Sequence, residues 1–215
     1  MPRIALIHAL AHSPPPINAA LAEMWPEAER MNLLDDSLSA DLAKGGRLDA
    51  AMTARFIALA DYAVGAGADA ILFTCSAFGP CIDEVKRRHA ALPVLKPNEA
   101  MIDEAVARAG ARGRIGLVAS FAPTLASMPA EFPPGTPLRT RLAEGAMAAL
   151  DRGDGATHDA AVLQAARSLV HEGCTVIALA QFSLARACPV LQAALAQPVL
   201  ATPDSAVRRL RALLA

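Results

Sequence analysis

The chain has 215 residues, of which 54% are hydrophobic, and its formal net charge is −1. This length accommodates one large domain or two small ones, and the composition is that of a well-packed globular protein, which excludes a disordered chain. Lys and Arg are scattered along the sequence. No basic stripe therefore suggests a nucleic acid or a membrane surface as a partner.

Short apolar runs bounded by Gly or Pro predict eight buried strands. In chain order they cover residues 3–10, 30–34, 70–74, 93–95, 114–119, 137–142, 176–180 and 198–201. Helical patterns lie between them, at residues 18–24, 48–64, 82–89, 143–150, 158–172, 185–196 and 204–214. Because strands and helices alternate, we predict an α/β fold with parallel, helix-covered sheets.

The two halves of the chain resemble each other. The segment RIALIHALAHS begins at Arg3 and RIGLVASFAPT at Arg114, while GADAILFTCSAFG begins at Gly67 and GCTVIALAQFSLA at Gly173. A Pro-Val-Leu triplet follows in each half. Landmarks repeated in one order predict a single α/β unit used twice. We expect a first domain of residues 1–97 plus 200–215 and a second of residues 98–199.

The spacing of the cysteines indicates the cellular compartment and whether disulfides or a metal site are expected. The four cysteines form no CxxC pair and no His/Cys cluster at zinc spacing, which argues against a disulfide framework and a structural metal and favours a reducing compartment. The apolar run from Ile4 to Leu10 is too short for a membrane span and lacks a cleavage site. We therefore expect a cytoplasmic protein. No GxGxxG or P-loop motif supports a nucleotide cofactor.

The stretch FTCSAFGP places Cys75 at the carboxyl end of a predicted strand and just before a helix. Ligands of α/β folds bind outside the carboxyl ends of the strands, so two such units would form a cleft between them. The backbone N–H groups of Ser76 and Ala77 would form an anion site there and favour the thiolate of Cys75. The alternative interpretation is a packed thiol, because free cysteine is a small hydrophobe.

These segments resemble the aspartate/glutamate racemase superfamily, which includes glutamate, aspartate and hydantoin racemases, maleate isomerase and arylmalonate decarboxylase. The resemblance covers nearly the whole chain and rests on FTCSAFGP, RIGLVASFAPT and GCTVIALAQFS. It implies two similar α/β domains related by pseudo-twofold symmetry, an active site in the cleft between them, and no cofactor. In the racemases one cysteine from each half acts on the substrate, and homodimers are common.

Two departures from that pattern bear on function. Aligning the halves places Gln181 where the racemases have the second cysteine. A glutamine side chain cannot transfer a proton near pH 7, so two-cysteine racemisation is disfavoured, and the chain resembles an atypical member of the superfamily with a single active-site cysteine. His8 stands where the first strand of the family often ends in Asp or Asn, and it could supply an acid or base.

Further candidates lie at strand ends and helix starts. Ser and Thr at such places either bind substrate or cap helices, His158 either joins the site or follows a Thr157 N-cap, and nearby phenylalanines either narrow the pocket or pack in the core. With Cys75 and Gln181 as catalytic candidates, the expected substrate-binding residues are Ser76, Ala77, Ser120, Thr124, Phe182, Ser183, His8, His158 and Asn98.

Three functions remain open from the sequence. The first is a cofactor-independent isomerase or lyase that acts on a small carboxylate, with Cys75 as acid/base or nucleophile, by racemisation, cis–trans isomerisation or decarboxylation. The second is a hydrolase in which Cys75 accepts an acyl group and His8 or His158 is the base. The third is a non-catalytic protein that binds a small carboxylate.

Overall fold

A computed structural model describes residues 1–215 and shows eight strands and ten helices. The strands are β1 (Arg3–His8), β2 (Glu29–Leu34), β3 (Ala70–Phe73), β4 (Val94–Leu95), β5 (Ile115–Ala119), β6 (Leu138–Leu142), β7 (Val176–Leu179) and β8 (Val199–Ala201). The helices are α1 (Pro14–Met24), α2 (Ser37–Gly45), α3 (Ala50–Gly65), α4 (Gly79–Arg88), α5 (Glu99–Ala109), α6 (Ala122–Ser127), α7 (Ala146–Asp151), α8 (Gly155–His171), α9 (Cys188–Ala194) and α10 (Thr202–Leu213). All eight predicted strands are present, whereas α2, α5 and α6 were not predicted.

The chain divides into two compact units, one of Met1–Pro97 and Ala206–Ala215 and the other of Asn98–Ser205. The expectation that residues 200–205 belong to the first domain is wrong. Strand β8 pairs with β7 in the second sheet, and the Thr202 hydroxyl donates to the Leu179 carbonyl at 2.7 Å. Pairing within a parallel sheet therefore holds this segment in the second unit.

The first unit contains a four-stranded parallel sheet in the order β2-β1-β3-β4. Its core on one face is built around Phe56 of α3, whose ring lies 5.4 Å from that of Phe73 and 4.8 Å from that of Phe78. Phe78 is fully buried, so of the two roles left open for the phenylalanines this ring has the one in the core. Aromatic packing fixes the turn after β3 to the sheet.

The second unit repeats this arrangement in the order β6-β5-β7-β8, again all parallel. Helix α8 covers one face and buries Val162 and Leu169 against the sheet. A Cβ atom at Gly116 would come within 3.0 Å of the Leu169 side chain. Glycine at this position of β5 therefore lets the helix approach the sheet closely. None of the helices combines the length and hydropathy that crossing a lipid bilayer requires.

Backbone geometry supports the internal repeat in detail. Gly67 and Gly173 both adopt φ of +82° before the third strand of their sheets, a left-handed conformation that favours glycine. Their N–H groups donate to Val64 and Val170 respectively, at 2.9 Å in both units. The same turn therefore leads the chain from helix to strand in each half.

The repeat also holds where the third strands end. The N–H groups of Thr74 and Ala180 each donate to a carbonyl of the neighbouring first strand, at 3.0 Å and 2.9 Å. The next residues, Cys75 and Gln181, are both extended, and each precedes a 3₁₀ turn. Cys75 and Gln181 are therefore structurally equivalent, as the alignment of the two halves predicted.

Candidate active site

Cys75 lies in the turn that connects β3 to α4, with φ of −127° and ψ of 119°. A 3₁₀ turn, Ser76–Phe78, follows it, and α4 begins only at Gly79. The residue is partly exposed, whereas the other three cysteines are buried. Of the four cysteines, Cys75 therefore has the largest exposed fraction.

The Cys75 sulfur borders an apolar crevice formed by β1, α2, α3 and β3. The crevice encloses about 170 Å³ between atoms, but it is nowhere wide enough for a water molecule. Burial raises the pKa of the thiol, while hydrogen bonds from the Ala77 N–H group and the Ser39 hydroxyl act in the opposite direction. The expectation that the helix start favours the thiolate is therefore wrong, because desolvation outweighs the nearby donors.

Ser39 was missed by the sequence analysis, which predicted no helix over α2. Its hydroxyl donates to the Ala9 carbonyl at 2.8 Å, and Ala9 borders the same crevice as Cys75. The signal in the sequence is weak because Leu38 and Leu42 are the only large apolar side chains of α2. Ser39 is identified only by its contacts with residues far away in the chain.

His8 is fully buried at the end of β1. Its Nε2 lies 3.0 Å from the Asn32 Oδ1 atom and its Nδ1 lies 2.9 Å from the Thr74 hydroxyl. An amide oxygen only accepts, so Nε2 carries the proton and Nδ1 accepts from Thr74. Burial lowers the pKa of His8, and the hydrogen bond to Asn32 only partly opposes this effect. His8 is thus a neutral residue with both ring nitrogens already paired.

Gln181 is held in one orientation by Ser120. Its Oε1 accepts hydrogen bonds from the Ser120 backbone N–H group at 2.7 Å and from the Ser120 hydroxyl at 3.1 Å. Since a backbone N–H group can only donate, the atom facing it must be the amide oxygen. The amide nitrogen of Gln181 is left with two N–H groups for a ligand. Ser120 therefore orients the Gln181 side chain through these two hydrogen bonds.

His158 lies in the first turns of α8 and is fully buried. Its Nδ1 lies 2.8 Å from the carboxylate of Asp159, and its Nε2 has no hydrogen-bond partner. The expected Thr157 N-cap is wrong: Asp154 caps the helix by accepting from the Thr157 N–H group at 3.0 Å. Because the Asp159 carboxylate can only accept, Nδ1 of His158 carries a proton, and Nε2 is the ring nitrogen left without a partner.

The Nε–H group of Arg186 also donates to the Asp159 carboxylate, at 2.9 Å. Burial would raise the pKa of this carboxyl, but hydrogen bonds from Arg186 and His158 together lower it. The aspartate is therefore ionised and orients the His158 ring, the arrangement that prepares an imidazole to act as a base.

Asn98 is the second buried polar side chain without partners. It is the N-terminal flanking residue of α5, is 1% exposed, and neither its Oδ1 nor its Nδ2 is hydrogen-bonded. Buried amides are nearly always paired in proteins, so these atoms are available to a ligand or a water molecule.

The remaining candidates differ in accessibility. Thr124 is buried in α6, and its backbone N–H group donates to the Phe121 carbonyl at 3.1 Å. Phe182 is buried and Phe121 is half exposed. Ser76, Ala77 and Ser183 lie in the two 3₁₀ turns with at least partial exposure. No group of three or more His, Cys, Asp or Glu side chains could hold a metal ion.

Two similar α/β units with polar or thiol side chains in the turn after the third strand define a class of two-unit α/β enzymes. The family model for Asp/Glu/hydantoin racemases matches residues 15–210. The chain therefore belongs to this family, which confirms the resemblance seen in the sequence and supports an isomerase of the racemase type.

Solved structures show the same fold. An aspartate racemase homologue from Pyrococcus horikoshii matches with a TM-score of 0.77, 16% identity and 99% coverage of both chains. Allantoin racemase from Klebsiella pneumoniae matches with a TM-score of 0.73 and 18% identity, and the match covers 100% of this chain and 88% of that one. Glutamate racemase RacE1 from Bacillus anthracis matches with a TM-score of 0.73 and 12% identity, and the match covers 99% of this chain and 81% of that one. No curated protein matches the sequence significantly.

Proposed function

We propose that the chain is a cofactor-independent isomerase or lyase of the racemase family that transfers a proton at the carbon next to the carboxylate of a small substrate, through the Cys75 thiol. The observation that carries this proposal is the equivalence of Cys75 and Gln181. One unit offers a thiol and the other a fixed amide donor at the same backbone position. The names of similar structures, among them glutamate and aspartate racemases, support a small carboxylate as the substrate.

The chemistry requires stabilisation of a carbanion. A proton next to a carboxylate is lost only if donors stabilise the enediolate that forms. The Gln181 N–H groups would serve as such a donor pair, and the backbone N–H groups of the turn after Cys75 as another. General acid/base transfer contributes roughly 10²–10⁴ in rate, so most of the acceleration must come from these donors.

The raised pKa of Cys75 makes its protonated thiol the resting form at neutral pH. The thiol is then ready to donate: the S–H bond breaks, a C–H bond forms with the electron pair of the carbanion, and a thiolate remains. A thiolate can take a proton from the substrate in the opposite direction. Since Gln181 cannot exchange protons near neutral pH, Cys75 would serve a single face of the carbon. Protonation after decarboxylation, a lyase reaction, needs the same single thiol.

A second candidate is a full racemase in which His158 serves the other face. It is favoured by the unpaired Nε2 atom of a ring that Asp159 orients. The hydrolase alternative is weaker for His8, because both of its ring nitrogens are already hydrogen-bonded.

Hydrogen exchange tests the proposal. The protein is incubated in heavy water with a panel of small carboxylates, and loss of the α-proton signal is followed by NMR. We expect exchange with at least one substrate in the unmodified protein and in Cys81→Ala, the matched control in the neighbouring helix, and none in Cys75→Ala. Exchange retained by Cys75→Ala would contradict the proposed role of the thiol.

A further inference from the structure

We propose that Gln181 selects the charge of the substrate group that binds in the second unit: it accepts a carboxylate and excludes an ammonium group, because Ser120 prevents its amide from turning over. This inference rests on the proposed function, since it concerns the same substrate. It makes Gln181 a specificity-determining residue and Ser120 a positioning residue.

A glutamine side chain that rotates freely does not select a charge. Its amide carries an acceptor oxygen and a donor nitrogen of similar size, and a half-turn about the last bond exchanges the two. Such a residue binds a carboxylate through nitrogen or an ammonium group through oxygen. Selection by charge therefore requires a second group that holds one of the two atoms.

Ser120 holds the oxygen of Gln181. Its backbone N–H group donates to the Oε1 atom at 2.7 Å, and its hydroxyl donates to the same atom at 3.1 Å. A half-turn of the amide would bring the Nε2 atom against that backbone N–H group, so two donors would face each other and a hydrogen bond would be lost. Gln181 is partly exposed, and the N–H groups of its Nε2 atom are the ones that a ligand meets.

The internal repeat supports a dedicated role for this pair. Aligning RIALIHALAHS with RIGLVASFAPT places Ala9 opposite Ser120, just as Cys75 corresponds to Gln181. Ala9 and Cys75 border the same crevice in the first unit, so the two positions are neighbours in both units. A hydroxyl group therefore stands beside the amide that it holds, whereas alanine stands beside the thiol.

The charged residue of the adjoining turn is already neutralised. Arg186 is the one charged residue between Phe182 and Ala187. Its Nε–H group and one terminal N–H group donate to the Asp159 carboxylate at 2.9 Å and 3.2 Å. Because this pair carries no net charge, the direction of the Gln181 amide decides which group binds there.

The test follows the side-chain amide signals of Gln181 by NMR in the isotope-labelled protein at about pH 7. The probes are acetate and acetamidine, which have the same size and opposite charges. We expect both N–H signals of Gln181 to shift saturably with acetate and to stay in place with acetamidine. Gln192, an exposed residue of α9, is the control in the same spectrum, and its amide signals should respond to neither probe.

Variants test the cause of the selection. In Gln181→Glu one carboxylate oxygen would accept both bonds from Ser120, and the other would face the ligand. Acetate should then bind about tenfold more weakly or worse, and acetamidine should gain binding. Ser120→Ala keeps the backbone N–H group and loses the hydroxyl, so acetate binding should weaken by about two- to fivefold, and Ser120→Thr should restore it. Gln192→Glu adds the same charge elsewhere and should leave acetate binding unchanged.

Gln181 signals that respond to acetamidine as they do to acetate, or to neither probe, would overturn the inference. So would undiminished acetate binding in Gln181→Glu. The amide signals are assigned through the residue's own backbone, so the first measurement decides even if a variant does not fold. Binding needs no turnover: selection for acetate without exchange of any substrate α-proton in the unmodified protein would reject the proposed function alone.

Discussion

Cys75 and Gln181 occupy the same position in the two repeated units, each as an extended residue between the third strand and a 3₁₀ turn. At this shared position the two residues differ in side-chain chemistry, a thiol in Cys75 and an amide in Gln181. The Cys75 sulfur is protonated and can give up a proton, whereas Gln181 is fixed by Ser120 and presents N–H groups. At one backbone position the first repeat therefore carries a thiol and the second an amide whose oxygen is held by Ser120.

Cys75 should be alkylated faster than the other cysteines in the native protein. The reason is access, since Cys75 is partly exposed while Cys81, Cys174 and Cys188 are buried. Burial raises the pKa of both Cys75 and Cys188, the latter to about 12, so the thiolate is scarce at both and exposure sets the expected order. Brief treatment with iodoacetamide and mass mapping measures the order. Labelling of Cys75 that is equal to or slower than that of a buried cysteine would remove the basis for a reacting thiol.

Cys75→Ala should abolish turnover and cost about 1 kcal/mol of stability or less, because truncating one sulfur at a partly exposed strand end leaves only a small cavity. Thermal unfolding and the exchange assay, made on the same preparation, measure the two effects separately. A large fall in melting temperature would instead assign Cys75 to core packing.

The protein should not interconvert the free enantiomers of aspartate or glutamate at useful rates, because Gln181 cannot carry a proton. Product formed in heavy water should carry deuterium in one configuration, and Gln181→Cys should introduce exchange in the other. Chiral chromatography with mass detection measures both. Rapid racemisation by the unmodified protein would refute this prediction, and its loss in His158→Gln would then identify the second acid/base group.

The stability of the fold should decrease in mild acid because of His8. Burial lowers the pKa of this residue in the folded protein below its ordinary value of about 6.5. Below about pH 6.5 the unfolded chain therefore binds a proton that the folded chain refuses, so stability falls as pH decreases. In His8→Gln the melting temperature should fall less between about pH 7 and pH 5. Parallel curves for both proteins would show that His8 titrates normally.

The sequence by itself determined the repeat, the eight strands and the place of Cys75 and Gln181 at equivalent strand ends. These features are local: apolar runs bounded by Gly and Pro define strands, and two similar runs in the same order define two similar units. Helix α2 escaped prediction because it is short and has few apolar residues. Its position depends on Arg55, which is distant in the chain and binds acidic residues before and within it.

Only the tertiary structure decided the chemistry of the site. The sequence suggested an activated Cys75 from its neighbours along the chain, but burial in the folded protein raises the pKa of the thiol, beside a crevice that Leu38 and Phe56 also line. The orientation of the Gln181 amide likewise depends on Ser120, which is 61 residues away. Desolvation and hydrogen bonding act through space, so the pattern along the chain located Cys75 and Gln181, while the packing around them set the thiol pKa and the orientation of the amide.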